Sequence, residues 1–531
     1  MSPQVASAAA RPNTPPTPNA RHLWWMALAL LMSSLLAWHS LRHVSGGHIA
    51  ADARQNLTIA YNLEVHGIFS QGQDRHELEP SNLREPLPVW VVAAYLRAFD
   101  PPEAVSSVLD LASGPNAAFV KQVNALWMFM AVLGCWVLFH ALTSSPLGAF
   151  VAAGLAYVLM LDLPGMADTL YTELAASALL TWSAWSLIRA SRHGRAGDWW
   201  LAGAVLGLLA LTKGIFLHAS VICMGVMALV QLLRDGWGRT GWRAALGVAV
   251  PMAIGLAIVV GPWMLRNWVQ FGSPHITEGR GGWVLYKRSL LNRMTDEEFH
   301  GAMVLYGPSL VLDLARGTRW EVTREDVTLR TGRYRRLNIG GSEFQQSDLE
   351  AQRAGRPDLA VTYYRQTSAR LVQLRKEHMK RGTPLASVAA DHDLQKMAVA
   401  QLKQDVGRHL MLTPLMAWRG FWSFPTRLPY QLPMRQATLT RQIEWLNLVA
   451  GVSLILMFVL GLWRRNATWV AYSVAPLSMM GLYALVSQGL PRFSMPANPL
   501  MLMAFLALAL AAWRHCVSSR TRLLPILTKT T

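Results

Sequence analysis

The sequence has few charged residues and few cysteines. Only 15% of its 531 residues are charged while 52% are hydrophobic, which excludes an ordinary soluble globular protein. The three cysteines lie in or just after hydrophobic runs, so neither a disulfide framework nor a CxxC metal site is indicated. The signatures of zinc proteases, P-loop ATPases, serine hydrolases and nicotinamide-binding enzymes are also missing. We interpret the histidines as scattered, with no ligand pair at i, i+4 on one face, and we predict no structural metal site.

What the sequence does have is a series of charge-free runs near the length of about 20 residues that a membrane-crossing helix needs. We therefore expect an all-α polytopic membrane protein with about ten transmembrane helices. The first run lacks a convincing cleavage site, which favours an uncleaved helix. The segment 88–99 is apolar but short and contains Arg97, so we interpret it as an interfacial helix, with an eleventh crossing as the alternative. The predicted spans are 22–41, 122–161 (two helices broken at 144–146), 174–188, 199–212, 214–233, 244–265, 445–463, 466–491 and 493–513.

The basic residues predict the orientation of these spans. Arginines concentrate in the short loops 189–195, 234–243 and 464–465 and in the tail 514–531, which places these segments and the tail 1–21 in the cytoplasm. Much of the net charge of +18 therefore reflects topology, and no nucleic-acid partner is indicated.

The same orientation divides the chain into domains. An N-terminal transmembrane module, 22–265, contains the first non-cytoplasmic loop, 42–121. A non-cytoplasmic region, 266–444, follows, and the C-terminal transmembrane helices are 445–513. A capping box at Thr295 and apolar spacing in 357–381 and 384–409 predict that the region is mostly helical. Its polar part, 316–356, is either a small hairpin or a mobile loop.

Ionisable residues cluster at the ends of the predicted spans, where they are costly unless they have a function. Asp52 would begin a helix after the first span, either as a helix cap or as a functional carboxylate. The other candidates share the predicted non-cytoplasmic side. They are Arg84 and Glu85 before the interfacial helix, Glu173 before the fourth span, Lys213 in an outward turn, Arg266 and Asn267 after the seventh span, and Arg492 in the last outward turn.

The order of these motifs resembles that of the GT-C glycosyltransferases, in particular the family-39 type that includes protein O-mannosyltransferase-like and aminoarabinose transferase-like enzymes. Matching positions run over nearly the whole chain, although no single motif is specific. Many relatives have an acidic pair after the first span, whereas Ala53 and Arg54 follow Asp52 here. The matching segments are Asp52 with Ala60 and Tyr61, 84–88, 171–173, 207–213, 262–267 with 271–272, 407–422, and 491–493 with Pro496.

The resemblance implies transfer of a sugar from a polyprenyl-phosphate donor to a lipid, protein or polysaccharide acceptor by direct displacement, within a GT-C-like helical bundle. Asp52 would be the catalytic base. Lys213, Arg266 and Arg492 would bind the donor phosphate. Positioning of donor or acceptor would fall to Arg84, Glu85, Tyr61, Glu173 and Asn267. The metal or donor contacts attributed to the second acid of that pair cannot be carried over, so no metal ligand is assigned; no cofactor is expected, and the need for a divalent cation stays open.

Two other functions remain as alternatives: a transporter or flippase of lipid-linked sugars, and a non-catalytic envelope scaffold. Transporters often consist of two related halves with polar groups near the bilayer midplane, whereas here the polar groups lie at one predicted surface. Arginine far outnumbers lysine, which suggests a GC-rich bacterial genome. We expect a multi-pass protein of the bacterial inner membrane with cytoplasmic termini, a periplasmic active face and contacts with membrane lipids.

Overall fold

The computed structural model describes residues 20–72, 78–163, 165–277, 280–338, 341–422, 434–487 and 489–527. Within these ranges the regular structure is helical, apart from one isolated bridge between Ser70 and Pro80. The predicted tail 1–21 falls almost entirely outside them. The first half contains α1 Ala20–Leu41, α2 Ala51–His66, α3 Pro86–Ala98, α4 Gly114–Lys121, α5 Asn124–Thr143, α6 Pro146–Ala156, α7 Glu173–His193, α8 Ala196–Ala210, α9 Ile215–Asp235 and α10 Arg239–Phe271.

Short π-helical and 3-10 turns, together with the helices after α10, complete the fold. A π-helical turn, Tyr157–Asp162, extends α6, and 3-10 turns lie at Met166–Asp168, Arg335–Leu337 and Met495–Ala497. The remaining helices are α11 Gly281–Leu291, α12 Asp296–Leu305, α13 Ser309–Ala315, α14 Arg324–Thr328, α15 Gln345–Ala354, α16 Tyr363–Lys380, α17 Ala386–Gln404, α18 Val406–Trp422, α19 Met434–Trp463, α20 Ala467–Val486, α21 Pro491–Ser494 and α22 Asn498–Leu527.

The protein is an all-α, multi-pass membrane protein. Seven helical segments of the described chain are long and apolar enough to cross a membrane. They contain α1, α5, α9, α10, α19, α20 and α22. The other three predicted spans also form helices: α6 and α8 are shorter apolar helices, and α7 is longer but carries more polar residues. Helix α7 is buried along most of its length among α5, α8 and α20, which is why its polar residues are tolerated.

The predicted break at residues 144–146 is confirmed. Helix α5 ends at Thr143, Ser144 adopts a left-handed conformation, and Ser145 caps α6 by accepting a hydrogen bond from the Gly148 N–H. Pro146 then occupies the first turn of α6, where its missing N–H costs nothing. The chain can therefore turn back into the bundle within three residues.

Several predicted span ends are wrong; α19, for example, begins at Met434 and not at residue 445. Helix α10 does not end at residue 265 but continues through Pro262 to Phe271, and Gly272 closes it with φ +71°. Arg266 and Asn267 consequently belong to its last turns. Helix α22 starts at Asn498, after α21 and a 3-10 turn, and extends to Leu527, past the predicted boundary at 513. Charged residues mark where the apolar run ends, but the helix continues as long as its backbone hydrogen bonds can form.

The region between α10 and α19 has its own small apolar core around Tyr286, Leu290, Tyr334, Leu394 and Leu412. The predicted capping box is confirmed, because the Thr295 and Glu298 side chains each accept a hydrogen bond from the other residue's backbone N–H. In the described parts of 316–356 the chain forms short helices and turns, so the hairpin alternative is wrong.

Fully buried Arg288 connects this region to the membrane helices. Its guanidinium donates to the carbonyl of Ala484 in α20 at 3.3 Å and to the carbonyl of His409 in α18 at 3.0 Å. These contacts fix α11 against the end of the bundle. Arg280, which immediately precedes α11, is thereby held close to the first turn of α2.

Candidate functional site

Asp52 is the centre of a group of charged side chains at one end of the helical bundle. It lies in the first turn of α2, but Ala50 is the N-cap residue and no side chain caps the helix. Its Oδ1 lies 2.7 Å from Arg84 Nη2 and 2.8 Å from Arg280 Nη2, and its Oδ2 lies 2.5 Å from Arg492 Nη2. Asp52 therefore contacts three guanidinium groups and is not a simple helix cap.

The guanidinium groups control the ionisation of Asp52. Burial by itself would raise the pKa of this carboxyl, but the ion pairs with Arg280 and Arg84 and the hydrogen bonds from Arg492 and Arg280 hold the pKa well below its usual range. Asp52 is therefore ionised throughout the physiological pH range and, in this arrangement, is a weak base. Because its partners are all cations, this carboxylate does not fit a divalent-cation site.

A second carboxylate extends the group. Glu173 begins α7, and its Oε1 lies 2.9 Å from Lys213 Nζ and 3.6 Å from Arg492 Nε. Arg492 thus joins both carboxylates. We call Asp52, Arg84, Glu173, Lys213, Arg280 and Arg492 the charge cluster. It contains four cations and two carboxylates, so it has an excess of positive charge.

The neighbouring loops hold the lysine turn in place. Glu85 accepts a hydrogen bond from the Gly214 N–H at 3.1 Å, and the Leu87 N–H donates to the Leu211 carbonyl at 3.1 Å. Glu85 immediately precedes α3, whose first residue is Pro86. The start of α3 therefore fixes the turn between α8 and α9 that carries Lys213.

The start of α11 positions Arg280. Asp391 of α17 accepts hydrogen bonds from the backbone N–H groups of Gly282 at 2.9 Å and Trp283 at 2.8 Å. A Cβ atom at Gly282 would lie 1.8 Å from the Asp391 carbonyl oxygen, so this close approach requires glycine. The carboxylate thus caps α11 and anchors the residue that reaches Asp52.

Several buried polar atoms of the charge cluster have no hydrogen-bond partner among the described residues. They are Nε and Nη2 of Arg84, Nε of Arg492 and Oε2 of Glu173. In the ion pairs of Arg84 and Arg492 the opposite charges lie close together, but these N–H bonds do not point at an acceptor oxygen. An unpaired buried polar group costs about 1–3 kcal/mol. A ligand that supplies acceptor oxygens to the guanidinium groups and a hydroxyl to Glu173 would remove this cost.

A polar cavity of about 340 Å³ lies along α2, the helix that also carries Asp52. Its lining includes Arg54, Gln55, Thr58 and Gln71. The side-chain oxygen of Gln55 and the side-chain nitrogen of Gln71 are buried without a hydrogen-bond partner in the described structure. Ligand pockets commonly have volumes of about 300–1,000 Å³. This cavity therefore has the size and polarity to hold a small hydroxyl-rich group against the helix that carries Asp52.

Two predicted site residues have different surroundings. The Arg266 guanidinium lies 4.7 Å from the centre of the Trp263 ring and donates hydrogen bonds to the Ser81 carbonyl at 2.9 Å and to Asn267 Oδ1 at 2.8 Å. Asn267 is fully buried and donates to the His275 carbonyl at 2.6 Å. These contacts fix the end of α10 against the adjoining loops and do not include the charge cluster.

Tyr61 also lies apart from the charge cluster, since its hydroxyl donates to the Ser106 carbonyl at 3.4 Å. The structure therefore brings Asp52, Arg84, Glu173, Lys213 and Arg492 together and holds Glu85 against their turn. Arg280 was missed by the sequence prediction because it lies 228 residues from Asp52 in a segment without a recognisable motif. Its position shortly after the seventh span, on the predicted outward side, was the only available signal.

A scan against protein families and a search of curated proteins found no match. Among solved structures, the chain is similar to the archaeal oligosaccharyltransferase AglB from Archaeoglobus fulgidus in complex with an inhibitory peptide and a dolichol-phosphate. The identity is 12% and the TM-score 0.45, with 96% of this chain and 52% of AglB covered. This chain thus spans about half the length of AglB.

Two further solved structures show a weaker likeness. ArnT from Cupriavidus metallidurans bound to undecaprenyl phosphate is 14% identical with a TM-score of 0.29, covering 91% of this chain and 77% of ArnT. The arabinosyltransferase EmbB from Mycobacterium smegmatis is 12% identical with a TM-score of 0.32, covering 92% of this chain and 42% of EmbB.

Proposed function

We propose that this protein is a membrane glycosyltransferase that moves a sugar from a polyprenyl-phosphate donor to an acceptor hydroxyl at the periplasmic face of the bacterial inner membrane. The observation that carries the proposal is the charge cluster. It combines an excess of cations with unpaired guanidinium N–H groups, and its carboxylate Asp52 lies on the helix that also lines a polar cavity. A sugar phosphate on a lipid carrier matches each of these features.

The guanidinium groups of Arg84, Arg280 and Arg492 would bind the donor phosphate. Arginine forms two parallel hydrogen bonds with phosphate oxygens, and its charge is retained in buried surroundings. Arg280 and Arg492 are the accessible members, with side chains 43% and 36% exposed, whereas Arg84 is buried. The phosphate would therefore approach from the side of Arg280 and Arg492.

The leaving phosphate needs charge neutralisation more than it needs a proton, because a phosphate ester is already a weak base. Positive groups that are fixed in place stabilise the charge as it develops without having to reorganise. Lys213, held by Glu173 and buried, supplies such a charge beside Arg492. The fixed cations would thus favour departure of the carrier phosphate.

Asp52 would act as the general base. As the acceptor oxygen forms its bond to the anomeric carbon, the bond between that carbon and the phosphate oxygen breaks, and the acceptor proton passes to the Asp52 carboxylate. Without donor the three guanidinium groups make Asp52 a weak base. A bound phosphate would draw Arg280 and Arg492 toward itself, which would raise the basicity of Asp52 only when a donor is present.

The polar cavity on α2 would receive the hydroxyl groups of the transferred sugar or of the acceptor. Gln55 and Gln71 offer it an acceptor and a donor that are otherwise unpaired. Within the charge cluster, the free oxygen of Glu173 offers a further acceptor. Arg266 and Asn267 would keep α10 and its loops in shape and would not touch the phosphate. The acceptor class remains a lipid, protein or polysaccharide hydroxyl.

The experiment that tests this function compares the wild type with Asp52→Asn and a matched control, Glu64→Gln, which removes a carboxylate charge from the same helix away from the charge cluster. Purified protein in liposomes is incubated with radiolabelled polyprenyl-phosphate sugars and an envelope extract. We expect Asp52→Asn to lower the transfer of label from the carrier by about 10²–10⁴-fold, with Glu64→Gln near wild type.

Undiminished transfer by Asp52→Asn would refute Asp52 as the base. Donor binding without transfer in every variant, combined with movement of the labelled lipid between leaflets, would instead support the flippase alternative. Folding of each variant is checked by gel filtration and thermal unfolding in detergent.

A further inference from the structure

Two histidines and an aspartate converge at the end of the first span, away from the charge cluster. His39 lies in the last turn of α1, His43 follows four residues later, and Asp162 ends the π-helical turn after α6. One ligand atom from each residue lies within 4.8 Å of the other two. The sequence prediction that no histidine pair at i, i+4 exists is therefore wrong.

We propose that His39, His43 and Asp162 form a binding site for a divalent transition-metal ion of the zinc class. Two imidazoles and one carboxylate are a common ligand set for zinc, whereas magnesium and calcium prefer oxygen ligands throughout. A fourth position would be open to water. This site is independent of the proposed glycosyl transfer.

The distances require only small side-chain movements. Ligand atoms around a tetrahedral zinc ion lie about 3.3–3.6 Å apart, given metal–ligand bonds of about 2.0–2.2 Å. His43 Nδ1 and Asp162 Oδ1 are already 3.0 Å apart. The His43 side chain is 51% exposed, so its ring can rotate to admit an ion without disturbing the bundle.

The surroundings also orient the ligands. The Tyr157 hydroxyl lies 2.7 Å from His39 Nδ1 and holds that ring in position, and the two imidazoles meet edge to face with centres 5.1 Å apart. A hydrogen-bonded neighbour of this kind typically fixes the orientation of a metal-binding histidine. The π-helical turn, a form that occurs frequently at functional sites, carries both Tyr157 and Asp162.

The charge balance distinguishes Asp162 from the nearby acid Asp168. Lys121 pairs with Asp168 at 2.9 Å, so that carboxylate is already neutralised. In the described part of the chain, Asp162 has no lysine or arginine partner and faces an imidazole instead. A divalent cation would neutralise Asp162 and join the end of α1 to the end of α6, close to the segment that leads to Asp52.

The test measures metal binding directly. Protein purified with a histidine-free affinity tag is first treated with a chelator to remove bound metal. It is then titrated with Co²⁺, whose absorption in the visible range reports tetrahedral nitrogen and oxygen ligation. A separate titration with Zn²⁺ in competition with a chromophoric chelator measures the zinc affinity. We expect one ion per chain in the wild type. His43→Ala and Asp162→Asn should each weaken binding by at least about tenfold.

The matched control is His48→Ala, which removes an exposed histidine from the same loop. It should bind metal like the wild type. Zn²⁺ should also raise the thermal unfolding temperature of the wild type and of His48→Ala, but not that of His43→Ala. Because the His43 side chain is exposed, its replacement by alanine should leave the fold intact, so a loss of zinc binding would not result from misfolding. Absence of the cobalt band in the wild type, or equal zinc affinity in His43→Ala and the wild type, would overturn the proposal.

Discussion

At the scale of single residues, Arg280 links donor binding to proton transfer. Its guanidinium both contacts Asp52 and is exposed on the side where a phosphate would enter. We expect Arg280→Ala to raise the donor KM by about 10–100-fold, since hydrogen bonds to charged groups contribute about 1.5–3 kcal/mol. Arg375→Ala, which removes an exposed arginine from α16, is the control and should leave the donor KM unchanged.

The same substitution should change the dependence of the rate on pH. Arg280 is a main cause of the low pKa of Asp52, so its removal raises that pKa and protonates the base at a higher pH. The acid limb of kcat/KM, which reports the free enzyme, should therefore shift to higher pH in Arg280→Ala. A lower rate with an unshifted acid limb would contradict the link between Arg280 and Asp52.

The charge cluster also shows which site residues a sequence can reveal. Asp52, Glu173, Lys213 and Arg492 could be predicted because an ionisable residue at the end of an apolar run is conspicuous. Arg280 could not, since it is one of many arginines in a polar region and its role depends on how α11 packs. Arg266 had the same signal as Arg492, but only the structure reveals that its contacts are with aromatic rings and backbone carbonyls.

At the scale of helices, α8 and α10 approach each other through glycine. A Cβ atom at Gly203 would lie 2.0 Å from the Met252 carbonyl oxygen, and one at Gly255 would lie 2.1 Å from the Trp200 carbonyl oxygen. Small residues allow this close packing between membrane helices, where dispersion contacts replace the hydrophobic effect. The turn that carries Lys213 follows α8, so its position depends on this contact.

We therefore expect Gly203→Ala to destabilise the protein by about 1–3 kcal/mol, the usual cost of overpacking a tight contact. Thermal unfolding in detergent measures the change. Gly225→Ala in α9 is the control, because a Cβ atom there meets no atom within 4 Å. Alanine also favours helix over glycine, so the control should be neutral or slightly stabilising. Equal unfolding temperatures for both variants would show that α8 and α10 can separate freely.

Helix boundaries illustrate the limit of reading elements from composition. Charge-free runs located the helices because burying or embedding a charge is costly, and the break at Pro146 was visible because proline favours a helix start. The ends of α10 and α22 were not visible. A helix that leaves the apolar layer can continue as long as its polar side chains find partners, and those partners come from distant parts of the chain.

At the scale of the whole molecule, the arrangement of charges predicts the side on which the charge cluster lies. Arg280 belongs to the region between α10 and α19 and contacts Asp52, so this region and the charge cluster share one face. The arginine-rich short loops lie between other helix ends, and the positive-inside rule predicts that these loops are cytoplasmic. We therefore predict that a donor phosphate is bound on the periplasmic side.

Cysteine labelling tests this arrangement, since Cys135 and Cys223 are buried and Cys516 is exposed. A membrane-impermeant maleimide should label native Cys516 in inverted inner-membrane vesicles but not in spheroplasts. A Lys380→Cys variant that also carries Cys516→Ser should show the opposite pattern, because Lys380 is exposed on α16. Both proteins should be labelled after solubilisation in detergent. Labelling of both sites from the same side would refute the predicted topology. Labelling of the Lys380→Cys variant only in inverted vesicles would place the charge cluster on the cytoplasmic side, because α16 and Arg280 belong to the same region. A periplasmic acceptor could not reach the charge cluster there.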